Sequence, residues 1–220
     1  LALGDYISVE PEGLKEWVDI DLRDSKALAS PEHVIEQEHI LWPAKIADAN
    51  IPAYIVPIEP RWAQELFDEK MASDLLWGRV QEIAINTEAV YYRSARGKII
   101  APGHILWYVS SDKDVFGAMH IRACSRLEQV EIGLPKELFR KYKRLGIYEW
   151  EHVYKTAHYD INQNIMALKF SDTELFPKPI HWKRLQDILR ANNISTQLQQ
   201  PHAISNELFL KIYSEAVELT

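Results

Sequence analysis

The sequence predicts an α+β domain in which a small mixed β-barrel is flanked by helices. The strand candidates are short, helix candidates stand between and beside them, and there is no regular βαβ alternation. The 220 residues, 47% of them hydrophobic and 26% charged, suit a globular chain of one or two domains.

The first elements are predicted from caps and prolines. Residues 10–30 are acidic and weakly periodic, which is typical of a linker or of a loosely packed arm. Ser30, followed by a proline and an acid, indicates a helix start, and that helix should end before Pro43. The run 51–58 is β-rich but contains two prolines, which favours an edge strand. A second helix is predicted over 60–72.

The middle of the chain carries most of the strand-like sequence. Strands are predicted at 90–94, at 105–109 and at 117–124, the last of which continues toward residue 132. The nearly all-apolar run 105–109 indicates a central strand covered on both faces. A helix should begin at Pro135, run to residue 145 and close at Gly146. The predicted core includes Ile105, Trp107, Val109, Met119, Ile121, Leu168 and Phe170.

The C-terminal elements are a strand at 165–170, a helix at 181–190 and a last helix from about Ser205. Ile204 and Phe209 are placed as a hydrophobic staple for that last helix. We expect three segments: an acidic connector and helical region at 1–73, the barrel domain at 74–191, and a C-terminal helix at 192–220 that packs on the barrel.

Charge is segregated along the chain. Residues 1–90 hold 7 basic and 18 acidic side chains, whereas residues 91–190 hold 17 basic and 11 acidic ones. The overall net charge of −7 therefore hides a basic middle segment. Such asymmetry points to a polyanionic partner, and ordinary solvated surface charge is the alternative.

Several classes are excluded by composition. The single cysteine, Cys124, cannot form an internal disulfide, which fits a reducing, cytoplasmic setting. The cysteine and histidine spacing matches no zinc motif, so no metal or cofactor is predicted. No apolar run approaches the roughly 20 residues of a membrane span, and no secretory signal opens the chain. The start at Leu1 suggests a piece of a longer polypeptide.

Three runs of the sequence resemble a known family in their order. They are Val90-Tyr91-Tyr92-Arg93-Ser94, Ala101-Pro102-Gly103-His104-Ile105-Leu106-Trp107-Tyr108 and Gly117-Ala118-Met119-His120-Ile121-Arg122-Ala123. With the runs 145–151 and 166–172, they resemble the PUA-like superfamily, nearest to its ASCH and EVE branches. The resemblance implies a barrel with a cleft bordered by a strand that bears Arg and Ser. It also implies recognition of RNA or of a modified base.

A looser resemblance concerns the passage from residue 40 to residue 62. It is similar to the C-terminal part of bacterial proteins that join a PIN nuclease-like domain, an acetyltransferase domain and an ASCH-type module. Residues 3–9 would then be the last strand of the acetyltransferase, whose Gly-rich loop is absent from this sequence. The ASCH signature G-x-K-x-x-E-x-R, ended on Arg93, matches only at that arginine.

The candidate nucleic-acid-binding residues carry cationic, polar or aromatic side chains suited to phosphate contact, base-edge contact or base stacking. Arg93 offers a planar donor fork, Trp150 a ring in a predicted loop, and His120 and Arg122 a shared polar face bordering that of Arg93. The basic face of the helix predicted over 135–145 is a second phosphate-facing candidate. The full set is Arg93, Ser94, Arg96, Lys98, His120, Arg122, Tyr148, Trp150, Ser171 and Asp172.

These observations lead to a hypothesis of function: a nucleic-acid-binding module of a larger bacterial protein, with RNA or a single-stranded or modified nucleic acid as ligand. Two alternatives stay open. A small hydrolase or nuclease of ASCH type would need a lysine and a carboxylate converging in the cleft. A protein-interaction scaffold would show an exposed apolar patch instead of a basic concave surface.

Overall fold

A computed structural model of the chain describes residues 30–46, 49–67, 88–110, 118–145 and 147–217. Several predicted features lie outside these ranges: the strand at 3–9, all but the last residue of the linker at 10–30, the end of the 60–72 helix, and the closing Gly146.

The described elements follow in an order close to the sequence prediction. The helices are α1 (Pro31–Ile40), α2 (Pro60–Leu66), α3 (Pro135–Tyr142), α4 (Trp150–Thr156), α5 (Trp182–Ala191) and α6 (Asn206–Val217). The strands are β1 (Ala53–Ile58), β2 (Glu88–Ser94), β3 (Gly103–Val109), β4 (His120–Gly133), β5 (Ile165–His181) and β6 (His202–Ile204). None of the helices in the described ranges is long and apolar enough to cross a membrane.

The strands form one mixed six-stranded sheet in the order β2-β5-β4-β3-β1-β6. The β1–β3 pair is parallel and the other pairs are antiparallel. The predicted α+β class is confirmed, although the described sheet has two ends, β2 and β6, and does not close. The sheet draws its strands from all three predicted segments.

The edge position expected for residues 51–58 is wrong for half of β1. The three residues of β6 pair with Ala53, Tyr54 and Ile55, so this half lies between two strands. The half that contains Pro57 extends beyond β6. Proline fits there because it has no N–H to donate to a neighbouring strand.

Two apolar layers cover the sheet. Ile105, Trp107 and Val109 pack in the layer under α2, α3 and α4, while Leu106 and Tyr108 pack in the layer under α5 and α6. β3 is therefore buried on both faces, as its apolar run predicted.

The start of β4 departs from the strict alternation that the predicted 117–124 strand would have. Ile121 packs in the α5–α6 layer and Ala123 in the opposite one, because the β4–β5 register shifts between them. An extra residue at such a bulge reverses the alternation of side chains. Met119, expected in the core, is half-buried and precedes the strand with a φ of 61°.

Helix α1 is fixed to the sheet by a buried polar contact. Its N-cap is the predicted one, since Ser30 Oγ accepts a hydrogen bond from the His33 N–H at 3.2 Å. Glu38 Oε2 lies 2.5 Å from His104 Nε2 on β3, and Glu38 Oε1 accepts the Ile46 N–H at 2.7 Å. The carboxylate thereby joins α1, the segment after it and the centre of the sheet.

Candidate functional site

A cleft of about 1010 Å³ opens where several strands and helices end. Its walls come from the ends of β1, β2 and β3, from α2 and α4, and from the segment 196–199. The side chains with polar or aromatic groups that line it are Glu59, Arg61, Trp62, Tyr91, Tyr92, Arg93, Ser94, Arg96, Tyr108, Ser110, His152, Lys155, Thr156, His158, Tyr159, Trp182, Thr196, Gln197 and Gln199.

Arg93 is the most unusual residue of this cleft. It lies near the end of β2, opposite Met166 of β5, and only 8% of it is exposed. Its Nε and Nη1 atoms are buried and have no hydrogen-bond partner among the described residues. Burial lowers the pKa of Arg93 from its ordinary value, yet a guanidinium stays protonated in proteins. The cleft wall therefore holds a desolvated cation, two of whose nitrogens have no hydrogen-bond partner among the described residues.

Two tyrosines precede Arg93 on β2. Burial raises the pKa of Tyr91 to about 12, and burial also raises the pKa of Tyr92. Both hydroxyls are thus neutral at physiological pH and act as hydrogen-bond groups. The Tyr92 hydroxyl donates to the Leu138 carbonyl at 3.3 Å, which anchors β2 to α3.

Aromatic and basic side chains from α2 and α4 form one rim. The guanidinium of Arg61 lies 4.6 Å from the centre of the Trp62 ring, and its Nη2 lies 3.3 Å from His152 Nε2. Trp62 packs in turn on Tyr148, with ring centroids 4.4 Å apart. This rim offers a cation and a flat ring side by side.

The predicted site residues fall into separate places. Arg93, Ser94 and Arg96 line the cleft. Lys98 is exposed outside the cleft lining. Tyr148 is buried, and its ring packs against that of Trp62.

The shared face expected for His120, Arg122 and Arg93 is not formed. His120 and Arg122 belong to β4, which β5 separates from β2. The His120 ring packs against His181 at 4.9 Å and contacts the Ala118 carbonyl through Nδ1. Neither residue lines the cleft.

Trp150, expected in a loop, is the first residue of α4. Its ring packs between Phe139, at 5.7 Å, and Tyr154, which stacks on it at 5.6 Å. These contacts place Trp150 in the α3–α4 interface, outside the cleft lining. Sequence context alone could not separate an indole in a loop from one at a helix start.

Ser171 and Asp172 belong to a second polar cluster, beside α1. The Arg126 Nε lies 2.8 Å from Asp172 Oδ2 and 3.1 Å from Ser171 Oγ, and His39 Nδ1 lies 2.7 Å from the same Asp172 oxygen. Asp172 is held there with a φ of 49°. The aspartate is thus engaged in contacts between α1, β4 and β5.

The cleft also contains residues that the sequence did not single out, namely Arg61, Trp62, Lys155, His158 and Tyr159. Their sequence signals are weak, because each resembles an ordinary residue of a solvated helix face. Within the described ranges, no group of three or more His, Cys, Asp or Glu side chains could hold a metal ion.

The mixed sheet and its flanking helices form a PUA-like fold of the ASCH type, as the sequence resemblance implied. The chain is similar to the solved ASCH protein of Zymomonas mobilis, with 16% identity, a TM-score of 0.53, and coverage of 74% of this chain and 94% of that chain. No protein-family model and no curated protein sequence matches it.

Two further solved structures are more distant. Human THYN1, solved in complex with DNA containing 5-methylcytosine, is 10% identical over 77% of this chain and 99% of that chain, with a TM-score of 0.46. The N-terminal domain of Staphylothermus marinus McrB is 11% identical over 74% and 93%, with a TM-score of 0.44.

Proposed function

We propose that this chain is a nucleic-acid-binding module that holds RNA, or a single-stranded or modified nucleic acid, in the cleft beside Arg93. The observation that carries this proposal is the Arg93 guanidinium, which is buried at the cleft with two donors unpartnered among the described residues. Burying an unpaired cation is costly, so such a group is best explained by a ligand that completes it. A base edge or a phosphate oxygen fits its planar fork.

The charge of the cleft lining agrees with this ligand class. Its cationic side chains are Arg61, Arg93, Arg96 and Lys155, and Glu59 is the carboxylate among the described lining residues. An excess of cations in a concave surface raises the local concentration of a polyanion. The PUA-like fold implies the same class of ligand by resemblance.

Binding is proposed in preference to hydrolysis. Lys155 and Glu59 both line the cleft, but no ion pair joins a lysine to a carboxylate there among the residues that the structure describes. A lysine and an acid in contact in the cleft would favour an ASCH-type hydrolase, so these contacts support binding as the proposal rather than hydrolysis. A larger bacterial protein containing this module, and a cytoplasmic location, remain part of the same proposal.

Arg93→Met tests the proposal because it separates binding from folding. Methionine is unbranched and apolar, so it can occupy the buried space while removing the unpaired cation. We expect affinity for a single-stranded oligonucleotide to fall by about 1–3 kcal/mol or more, with stability equal to or above that of the wild type. Arg93→Lys keeps the charge, loses the fork and should also weaken binding.

Fluorescence anisotropy titrations at several salt concentrations provide the measurement. With about three to five phosphates neutralised, the slope of log K against log salt should be about −2 to −3.5 for a single strand. Arg190→Met, which removes an exposed arginine outside the cleft lining, serves as the matched control. A flat salt response, or equal affinity of the Arg93→Met variant and wild type, would reject the proposal.

A further inference from the structure

The turn that ends α4 brings two residues into the left-handed region of backbone space. The His158 N–H donates to the Lys155 carbonyl at 2.9 Å, and the Tyr159 N–H donates to the Tyr154 carbonyl at 3.0 Å. This pair of bonds defines a Schellman motif, in which glycine is the usual residue after the cap. Here His158 and Tyr159 occupy it with φ values of 53° and 62°. Each is a conformation that residues with a Cβ rarely adopt.

The strained turn presents the Tyr159 side chain to the cleft. Tyr159 is 54% exposed and lies in the cleft lining together with His158 and Lys155. Its ring meets that of Tyr154 almost at a right angle, with centroids 5.4 Å apart. Tyr154 in turn stacks on Trp150. A perpendicular contact occupies at most one face of the Tyr159 ring, so a flat surface is held in place and left open.

We propose that Tyr159 is a stacking platform for an unpaired base of the nucleic acid that enters the cleft; this inference rests on the proposed function. Folding gains little from an exposed ring on a strained backbone, and such outliers concentrate at binding sites. Every base has a π-face that can stack on a tyrosine, and a base paired within a duplex has both faces covered by its neighbours. The ligand is therefore a single-stranded or flipped-out nucleotide.

The aromatic side chains that pack beside Tyr159 would hold its ring in position. Phe139, Trp150 and Tyr154 form successive contacts that end at Tyr159. Trp150 thus supports the platform instead of touching the base. Its loss would act on binding through the position of Tyr159.

The test compares Tyr159→Ala, Tyr159→Phe and Ile161→Ala in the same chain. Ile161 is equally exposed, at 54%, and does not line the cleft, so it is a matched control. The probe is a short single strand carrying one 2-aminopurine, whose fluorescence is quenched on stacking, with the same sequence as a duplex for comparison. We expect Tyr159→Ala to abolish the quenching and to lower the affinity about 5- to 140-fold. This loss is equivalent to about 1–3 kcal/mol at 1.4 kcal/mol per tenfold change. Tyr159→Phe should retain both, and Ile161→Ala should match wild type.

Four outcomes would overturn the inference. Wild-type protein that binds no oligonucleotide at all would reject both the proposed function and the platform. Loss of binding in the Arg93→Met variant with unchanged binding in the Tyr159→Ala variant would reject the platform alone, as would equal affinity for strand and duplex. A lower melting temperature in the Tyr159→Ala variant, with normal binding by the folded protein, would leave Tyr159 as a structural residue. His158→Gly, which fits the left-handed turn, should melt no lower than wild type and isolates the contribution of the turn itself.

Discussion

Replacing Glu38 by alanine should destabilise the protein strongly, although the residue lies on a short peripheral helix. The side chain is 5% exposed, and its partner His104 is 2% exposed. One carboxylate oxygen lies 2.5 Å from His104 Nε2, and the other accepts the Ile46 N–H at 2.7 Å. The His104 ring is also stacked on Phe209, with centroids 4.3 Å apart, so it cannot turn away freely to find water.

The magnitude follows from the two groups left behind. Glu38→Ala strands the Ile46 N–H and the His104 Nε2 in a buried site, and each unsatisfied buried group costs about 1–3 kcal/mol. Removing one member of a buried pair typically costs about 3–5 kcal/mol, which agrees with that sum. For a chain of this size the melting temperature should fall by about 6–20 °C.

Urea unfolding followed by circular dichroism measures this loss as a lower midpoint at an unchanged m-value. Glu36→Ala is the matched control on the same helix, since Glu36 is 61% exposed and lies 3.7 Å from Arg126. A long contact of this kind, made by an exposed carboxylate, contributes about 0–1 kcal/mol. If the free energies of unfolding of the Glu38→Ala and Glu36→Ala variants differ by less than about 1 kcal/mol, the reasoning from burial is refuted.

Two further predictions concern stability. A Cβ at Gly103 would lie far inside contact distance of the Pro52 carbonyl oxygen, so Gly103→Ala should lower the free energy of unfolding by about 1–3 kcal/mol. Gly133→Ala is the control, because a Cβ there meets only ordinary contacts. Equal melting temperatures of the two variants would contradict this prediction. The Arg184 guanidinium, bonded at 2.7 and 2.8 Å, holds the pKa of Glu215 below its ordinary 4.5. The stability from this pair is therefore present above about pH 4.5 and lost as the pH falls below it, so Glu215→Gln should flatten the acid side of a urea-midpoint profile; an unchanged profile would contradict this.

Several features of this protein were determined by local sequence. Ser30 and the proline after it specify the start of α1, because a hydroxyl cap and a fixed φ act within one turn. The apolar run 105–109 specifies a strand covered on both faces, since every side chain must leave water whichever way it points. The resemblance selected Arg93, and the structure places it in the cleft wall.

The assembly of the cleft was decided only by the tertiary structure. Trp62, Arg93 and Tyr159 stand far apart in the chain, and no local periodicity relates them, yet pairing of β2 with β5 and packing of α2 and α4 bring them to one cavity. The Glu38–His104 contact joins residues 66 positions apart in the same way. The sequence favours Trp150 as the stacking residue, because a sequence shows that a ring is present and not which side chains cover it. The partial burial of Trp150 beside α3 and the exposure of Tyr159 depend on how helices pack and on a left-handed turn that contains no glycine to mark it in the sequence.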